Sequence, residues 1–171
     1  MRMKGHYHTG IAGGICTWLL MNHYQYDNKV ALTVSGMFAV GSVAPDYLEL
    51  GIIKHRTWTH WPVGWILIFM ASYYGVTLQN ENLLTFYGLG GLCMGAMLHI
   101  LADMPYYNGT PLFNPRKRFP TFRFKFQPKF NRAIENVYII TMFAGTIWAL
   151  FVSKKKGLDN HLALQTFKPY N

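Results

Sequence analysis

From Leu83 to Met104 the chain reads LLTFYGLGGLCMGAMLHILADM, with no charged residue before Asp103. A helix needs about 20 mainly apolar residues to cross a bilayer, and this stretch supplies them. Three more runs come close or qualify: Val30–Ile53, Pro62–Leu78 and Ile134–Val152. A fifth, Thr9–Tyr24, is shorter and is interrupted by Gly13 and Gly14. Glycine and proline are tolerated in such helices because neighbouring helices satisfy the backbone. A soluble all-α protein also buries apolar helices, but 171 residues with this many runs leave little polar surface to cover them. The predicted fold is therefore all-α, a polytopic integral membrane bundle of four to five transmembrane helices. It is read as one domain, residues 1–171, with a basic cytoplasmic loop.

Charge supports this. Charged residues make up 13% of the chain, against about 25% in a typical soluble domain, and they are segregated. Seven of the sixteen Lys/Arg lie between Arg116 and Arg132, and Lys154–Lys156 form a second block. If all five runs span, one side of the membrane holds the N-terminus, the loop around Lys54–Trp61 and the long loop Pro105–Ala133, with eleven Lys/Arg; the other holds five. The basic excess marks the cytoplasmic face. The expectation is a multi-pass protein of the bacterial inner membrane with its N-terminus and the 105–133 loop in the cytoplasm, although Lys154–Lys156 run against that orientation. Cys16 and Cys93 both sit in apolar runs and lack Cys-x-x-Cys spacing, so they read as buried thiols. The start, MRMKGHYHTGIAGG, resembles the basic region of a signal peptide, but the apolar run after it is short and has no convincing cleavage site, so it is kept in the mature protein.

On this topology the unusual polar residues converge. His6 and His8 precede the first run, Asp46 lies in GSVAPDYLEL, His55 and His60 in HRTWTH, and His99 and Asp103 in HILAD. All fall at one membrane face. An unpaired carboxylate in an apolar helix is costly, and ionisable groups in membrane segments are usually functional. His99 and Asp103, one helical turn apart, share a face and can address one ion. Imidazole nitrogen and carboxylate oxygen suit zinc, manganese or iron. Plainer roles exist for each residue taken alone. Asp46 follows Pro45 and could cap a turn. His60 stands beside Trp58 and Trp61, which look like interfacial aromatics. Arg56 could be an ordinary loop cation or could fork onto a phosphate oxygen. It is the convergence of separate segments that favours a metal site. His23 and His161 fall on the other side and receive no role.

The ordered set GHYHTGIAGG, SVAPD, HRTWTH, LHILADMPYYNGTPLFNP and a basic stretch resembles the YdjM-like family, inner-membrane proteins described as LexA-regulated, metal-dependent hydrolases. The resemblance runs from about residue 5 to the basic region near 130. His6, with Gly10 four residues on, matches the family's N-terminal histidine. Asp46 matches the first aspartate of its Leu-Pro-Asp-x-Asp motif, His55, Arg56, Thr59 and His60 its His-Arg-Gly-x-Thr-His-Ser, and His99 and Asp103 its His-x-x-x-Asp. Two departures stand out: Leu48, followed by Glu49, replaces the motif's second aspartate, and Trp61 replaces its serine. The family in turn looks like a distant membrane relative of zinc-dependent phospholipase C.

The resemblance implies a divalent metal, zinc or alternatively manganese, as one or two ions, held by His6, Asp46, His60, His99 and Asp103. His55 would orient a ligand or protonate a leaving group, and Arg56 would neutralise phosphate. The expected substrate is a phosphoester of a lipid or lipid-linked molecule, with residues 116–132 contacting anionic phospholipid. In TFRFKF aromatic and basic residues alternate, which suits a headgroup layer. The competing reading is a non-enzymatic membrane protein with a structural metal, whose basic loop recruits a partner or anionic lipid. Electrostatics alone do not separate that from nucleic acid, which is not the expected partner. A transporter is disfavoured because the polar residues gather at one face, not at the midplane.

Overall fold

The computed structural model describes residues 3–49, 52, 56–79, 83–104, 110–116 and 131–166. Among them the chain forms six α-helices and one 3₁₀ turn, with no strand. The helices are α1 (Met3–His23), α2 (Asn28–Gly41), α3 (Ala44–Tyr47), α4 (Pro62–Gln79), α5 (Leu83–Asp103) and α6 (Asn131–Thr166). The 3₁₀ turn, Trp58–His60, lies between α3 and α4.

Local chemistry sets several boundaries. α1 ends in a Schellman pattern, with Tyr26 N–H donating to Met21 O and Gln25 N–H to Asn22 O. Gln25 takes the left-handed position, φ 59°, usually given to glycine. α2 opens on Asp27, whose carboxylate accepts from the backbone N–H groups of Lys29 and Val30, the usual way an N-cap satisfies orphan donors.

α2, α5 and α1 form the centre, and their glycines let the backbones touch. A Cβ on Gly95 would stand 2.0 Å from Phe38 O, one on Gly91 2.4 Å from Val34 O, and one on Gly41 2.1 Å from Leu92 O. α1 meets α2 the same way, through Gly13 against Phe38 and Gly14 against Ser35 O. Small residues at such seams are how helices associate where no water drives them together. α4 packs on α5, and Trp65, Cys93, Ala96 and Ile100 form a buried apolar cluster.

Among the described residues two helical stretches are long and apolar enough to cross a membrane, Leu83–Asp103 and Arg132–Val152. Pro62–Gly75 is apolar but shorter. The surface suits lipid: α4 exposes Ile66, Leu67 and Met70, and α6 exposes Ile140, Ile147, Trp148 and Phe151. Contiguous apolar surface of this kind marks contact with a membrane or partner.

The expected segments differ from the observed ones in two places. Val30–Ile53 is not one helix: the chain turns at Ser42–Val43, and Pro45 sits in the first turn of α3. Proline has no N–H to continue the ladder from α2, so Asp46 lies beyond the break. The first helix starts at Met3, not near Thr9, and so contains His6 and His8. His55 and residues 117–130, most of the basic stretch, lie outside the described residues.

Candidate metal centre

Every element of the site comes from a helix end or a turn at one end of the bundle. α1 carries His6 on the face that also holds Thr9, Gly10 and Gly13, with the i, i+3, i+4, i+7 spacing of one helical stripe. The break after α2 delivers the Ser42 carbonyl and then Asp46. The 3₁₀ turn delivers His60, and the last turn of α5 delivers His99 and Asp103. His6, His60, His99 and Asp103 are each at most 1% exposed.

The structure brings together all five residues that the sequence singles out as ligands. His60 Nε2 lies 3.0 Å from His99 Nε2. Asp46 Oδ1 is 3.4 Å from the first of these nitrogens and 3.6 Å from the second. Asp103 Oδ2 is 3.8 Å and 3.9 Å from the same two. Ligand atoms about 2.0–2.1 Å from one ion stand roughly 3–3.4 Å from one another. A small contraction would therefore place the set on a single ion. His6 stacks on His99, ring centroids 3.6 Å apart, with its Nε2 3.2 Å from Asp103 Oδ1.

Hydrogen bonds fix which nitrogens are available. A carbonyl oxygen only accepts, so His99 Nδ1, 2.7 Å from Ser42 O, carries its ring proton. Glu49 Oε1 accepts from the Thr59 hydroxyl at 3.0 Å and lies 3.1 Å from His60 Nδ1. The Thr59 proton is thus committed, so His60 Nδ1 carries its own proton and donates to Thr59 Oγ1 at 3.1 Å. Both Nε2 atoms then present lone pairs to each other at 3.0 Å, an arrangement that is repulsive until a cation lies between them. Burial pushes the His60 pKa below its ordinary value, so a proton is a poor candidate for that cation. Backbone carbonyl and carboxylate acceptors behind ligating imidazoles are the usual outer support of a metal site.

The donor set fits a divalent ion in one further way. Among the described residues, His6 Nδ1 and Nε2 are buried without a hydrogen bond, although Nε2 lies 3.2 Å from Asp103 Oδ1. A nitrogen near a carboxylate oxygen but not aligned with it is the geometry of two ligands to one ion. Three groups drawn from these residues could hold a metal: His6, Asp46 and His99; His60, His99 and Asp103; and Asp46, Glu49 and His60. His99 offers only Nε2, so the two groups that share it surround one position. Asp103 has its two oxygens turned to different histidines, Oδ1 to His6 and Oδ2 to His60 and His99.

Arg56 is buried and is not the ordinary loop cation that one reading of the sequence allowed. Its guanidinium donates to Asp103 Oδ2 at 2.9 Å, and it is 7% exposed. Its backbone N–H donates to Glu49 Oε1 at 2.8 Å. Both contacts are made from a left-handed φ of 58°, a conformation that costs a non-glycine residue on the order of 1–3 kcal/mol and is held only by surrounding contacts. Arg56 thus orients a carboxylate. His8 is turned away, its ring meeting Glu135 of α6 on the exposed side.

Two residues of the site were missed by sequence reasoning. Glu49 is 7% exposed, accepts from the Arg56 N–H and the Thr59 hydroxyl of the HRTWTH turn and lies 3.1 Å from His60 Nδ1, while Leu48 is 52% exposed. The altered motif therefore keeps a buried carboxylate, three residues after Asp46 instead of two. Ser42 supplies its carbonyl to His99, and its hydroxyl is shared between Ala39 O at 2.7 Å and His6 O at 3.1 Å. No residue type in the sequence signals Ser42; the structure shows how closely it approaches α1, since a Cβ on Gly10 would fall 1.7 Å from Ser42 Oγ.

Neither the curated proteins nor the solved structures contain a match to the chain, so the likeness to phospholipase C gains no support. A family model does match, described as YdjM inner membrane protein, over residues 1–164. That span includes every residue of the cluster, and the chain belongs to the YdjM family of inner-membrane proteins.

Proposed function

We propose that this protein is a membrane-embedded, metal-dependent hydrolase acting on a phosphoester of a lipid or lipid-linked substrate at the cytoplasmic face. The observation that carries the reading is the pair of Nε2 atoms 3.0 Å apart, with the His99 Nδ1–H held by Ser42 O and the His60 Nδ1–H by Thr59 Oγ1, itself fixed by Glu49. Asp46, His60, His99 and Asp103 would hold the ion, zinc or manganese, and His6 would complete that shell or begin a second through Asp103 Oδ1. An ion there supplies Lewis-acid polarisation of a phosphoryl oxygen and lowers the pKa of a coordinated water to about 7.

The chain's own residues do the positioning. Glu49 and Ser42 hold the two imidazoles in the ligating tautomer. Arg56 fixes Asp103 and offsets its charge. Asp46, at 12% side-chain exposure, is the most open of the described ligand candidates and marks the side from which substrate approaches. His55 remains the proposed proton donor to the leaving group.

A second reading has its own support. The near-complete burial of His6, His60, His99 and Asp103 suits a closed, structural ion that pins α1, α3, the 3₁₀ turn and α5 together. Turnover separates the two readings. Protein reconstituted in phospholipid vesicles should release phosphate or a phosphorylated headgroup from a panel of lipid phosphoesters. The activity should vanish with chelator, return with added zinc or manganese, and fall at least about 10²-fold in Asp46→Asn. Full metal occupancy with no turnover across the panel would favour the structural ion.

A further inference from the structure

A cavity of about 410 Å³ opens between α2, α4 and α5. Phe38, Trp65, Phe69, Cys93, Met97 and Leu101 contribute to its walls, and its volume falls in the range of small-molecule sites. We propose that this cleft receives one hydrocarbon chain of the lipid whose phosphate is presented to the metal centre. The inference deepens the reading of the previous subsection and rests on it.

Three observations point to a hydrocarbon chain. Every lining side chain is aliphatic, aromatic, thioether or thiol, so the cleft offers no side-chain partner to a peptide or sugar. Polar groups placed there would go unsatisfied, at a cost that a hydrocarbon does not incur. Secondly, the cleft lies against Leu83–Asp103, one of the two stretches apolar and long enough to cross a membrane, and its walls include the half-exposed Met94 and Leu101. A lipid could enter sideways without leaving the bilayer. Moving a chain from bilayer to cleft is close to neutral, so the cleft orients the lipid while the headgroup supplies the attachment.

The third observation is continuity with the site. Leu98 and Leu101 line the cleft and flank His99 and Asp103 on the last turns of α5. Trp65 belongs to both: its ring walls the cleft, and its indole N–H donates to Thr59 O at 2.8 Å, on the residue before His60. A second apolar groove of about 290 Å³ lies between α1 and α2, lined by Ile11, Ile15, Trp18 and Leu32 among others. It touches neither α5 nor the 3₁₀ turn and serves as an internal comparison.

The test uses the full chain in vesicles of phosphatidylethanolamine and phosphatidylglycerol, with a minor fraction of phosphatidylglycerol bearing a diazirine near the end of one acyl chain. After illumination, adducts are mapped by mass spectrometry, and metal content is read on the same samples. Adducts should be enriched several-fold at Trp65, Cys93 and Met97 over Trp148 and Phe151 of α6 and over the α1/α2 groove. Gly90→Leu should abolish the enrichment with metal content unchanged. A Cβ at Gly90 meets the Phe69 ring alone, Cε2 at 3.4 Å and Cδ2 at 4.0 Å, so the helix accepts a side chain there. Should that variant lose helicity, Met94→Trp serves the same purpose. Even labelling of cleft, groove and α6 would overturn the proposal, as would cleft labelling that neither variant lowers. Metal bound without cleft enrichment would overturn the acyl site alone. Enrichment with no metal bound would overturn the hydrolase reading and leave a lipid site.

Discussion

Gly95→Val is expected to unfold the centre of the bundle. The added Cβ would stand 2.0 Å from Phe38 O and 2.8 Å from Ser42 N. Both are backbone atoms, so no rotamer change relieves the clash and α2 must move off α5. Ordinary overpacking costs about 1–3 kcal/mol, and this substitution should exceed the upper figure. The loss reaches the site as well, because the segment displaced carries the Ser42 carbonyl that orients His99, with Asp46 just beyond it. Thermal unfolding in detergent, read beside metal content, checks both. Gly145→Ala is the matched control: nothing lies within 4 Å of its Cβ, and alanine should add about 0.5–1 kcal/mol to an exposed helix position. A Gly95→Val protein that melts with the wild type would mean that α2 and α5 are not packed this closely.

Glu49→Ala should be the most damaging change outside the proposed ligands. It strands the Arg56 N–H and the Thr59 hydroxyl at once, and the freed Thr59 proton can then turn to His60 Nδ1, 3.1 Å away. Each buried donor left without an acceptor costs about 1–3 kcal/mol. Without the carboxylate, His60 is no longer held in the tautomer that presents Nε2, and outer-support mutations typically lower metal affinity by about 10–100-fold. Leu48→Ala, at the neighbouring exposed position, should do little to either quantity. Competition against a chromophoric chelator gives the affinities. Wild-type affinity in Glu49→Ala would show that Glu49 does not position His60.

Much of this was legible in the sequence because charge is so scarce. In a chain this apolar, each ionisable residue stands out, and the helical period of HILAD assigns His99 and Asp103 to one face. The break in Val30–Ile53 was masked because Val43, Ala44 and Pro45 continue the apolar composition while ending the helix. Ser42 was invisible because its contribution is a backbone carbonyl, which has no residue code. Glu49 was hidden by register: across the short helix, position 49 turns back toward Asp46 while position 48 points outward, so a motif read by linear spacing scored it as a departure. The close spacing of Gly88, Gly91 and Gly95 was readable as tolerance of glycine in a membrane helix, but only the partner backbone shows that it is a seam.

The central claim is that the cluster binds a divalent ion. The most direct measurement is metal content by mass spectrometry on detergent-purified protein prepared without chelator, wild type beside His99→Ala/Asp103→Ala. The double variant removes the His99 nitrogen and the Asp103 carboxylate from the proposed shell and leaves the helix seam of Gly91 and Gly95 untouched. The account predicts at least one equivalent of zinc or manganese in the wild type and a loss of at least about 10-fold in the variant, with helical content retained. Wild-type protein without metal, or a folded variant that keeps it, would contradict the account.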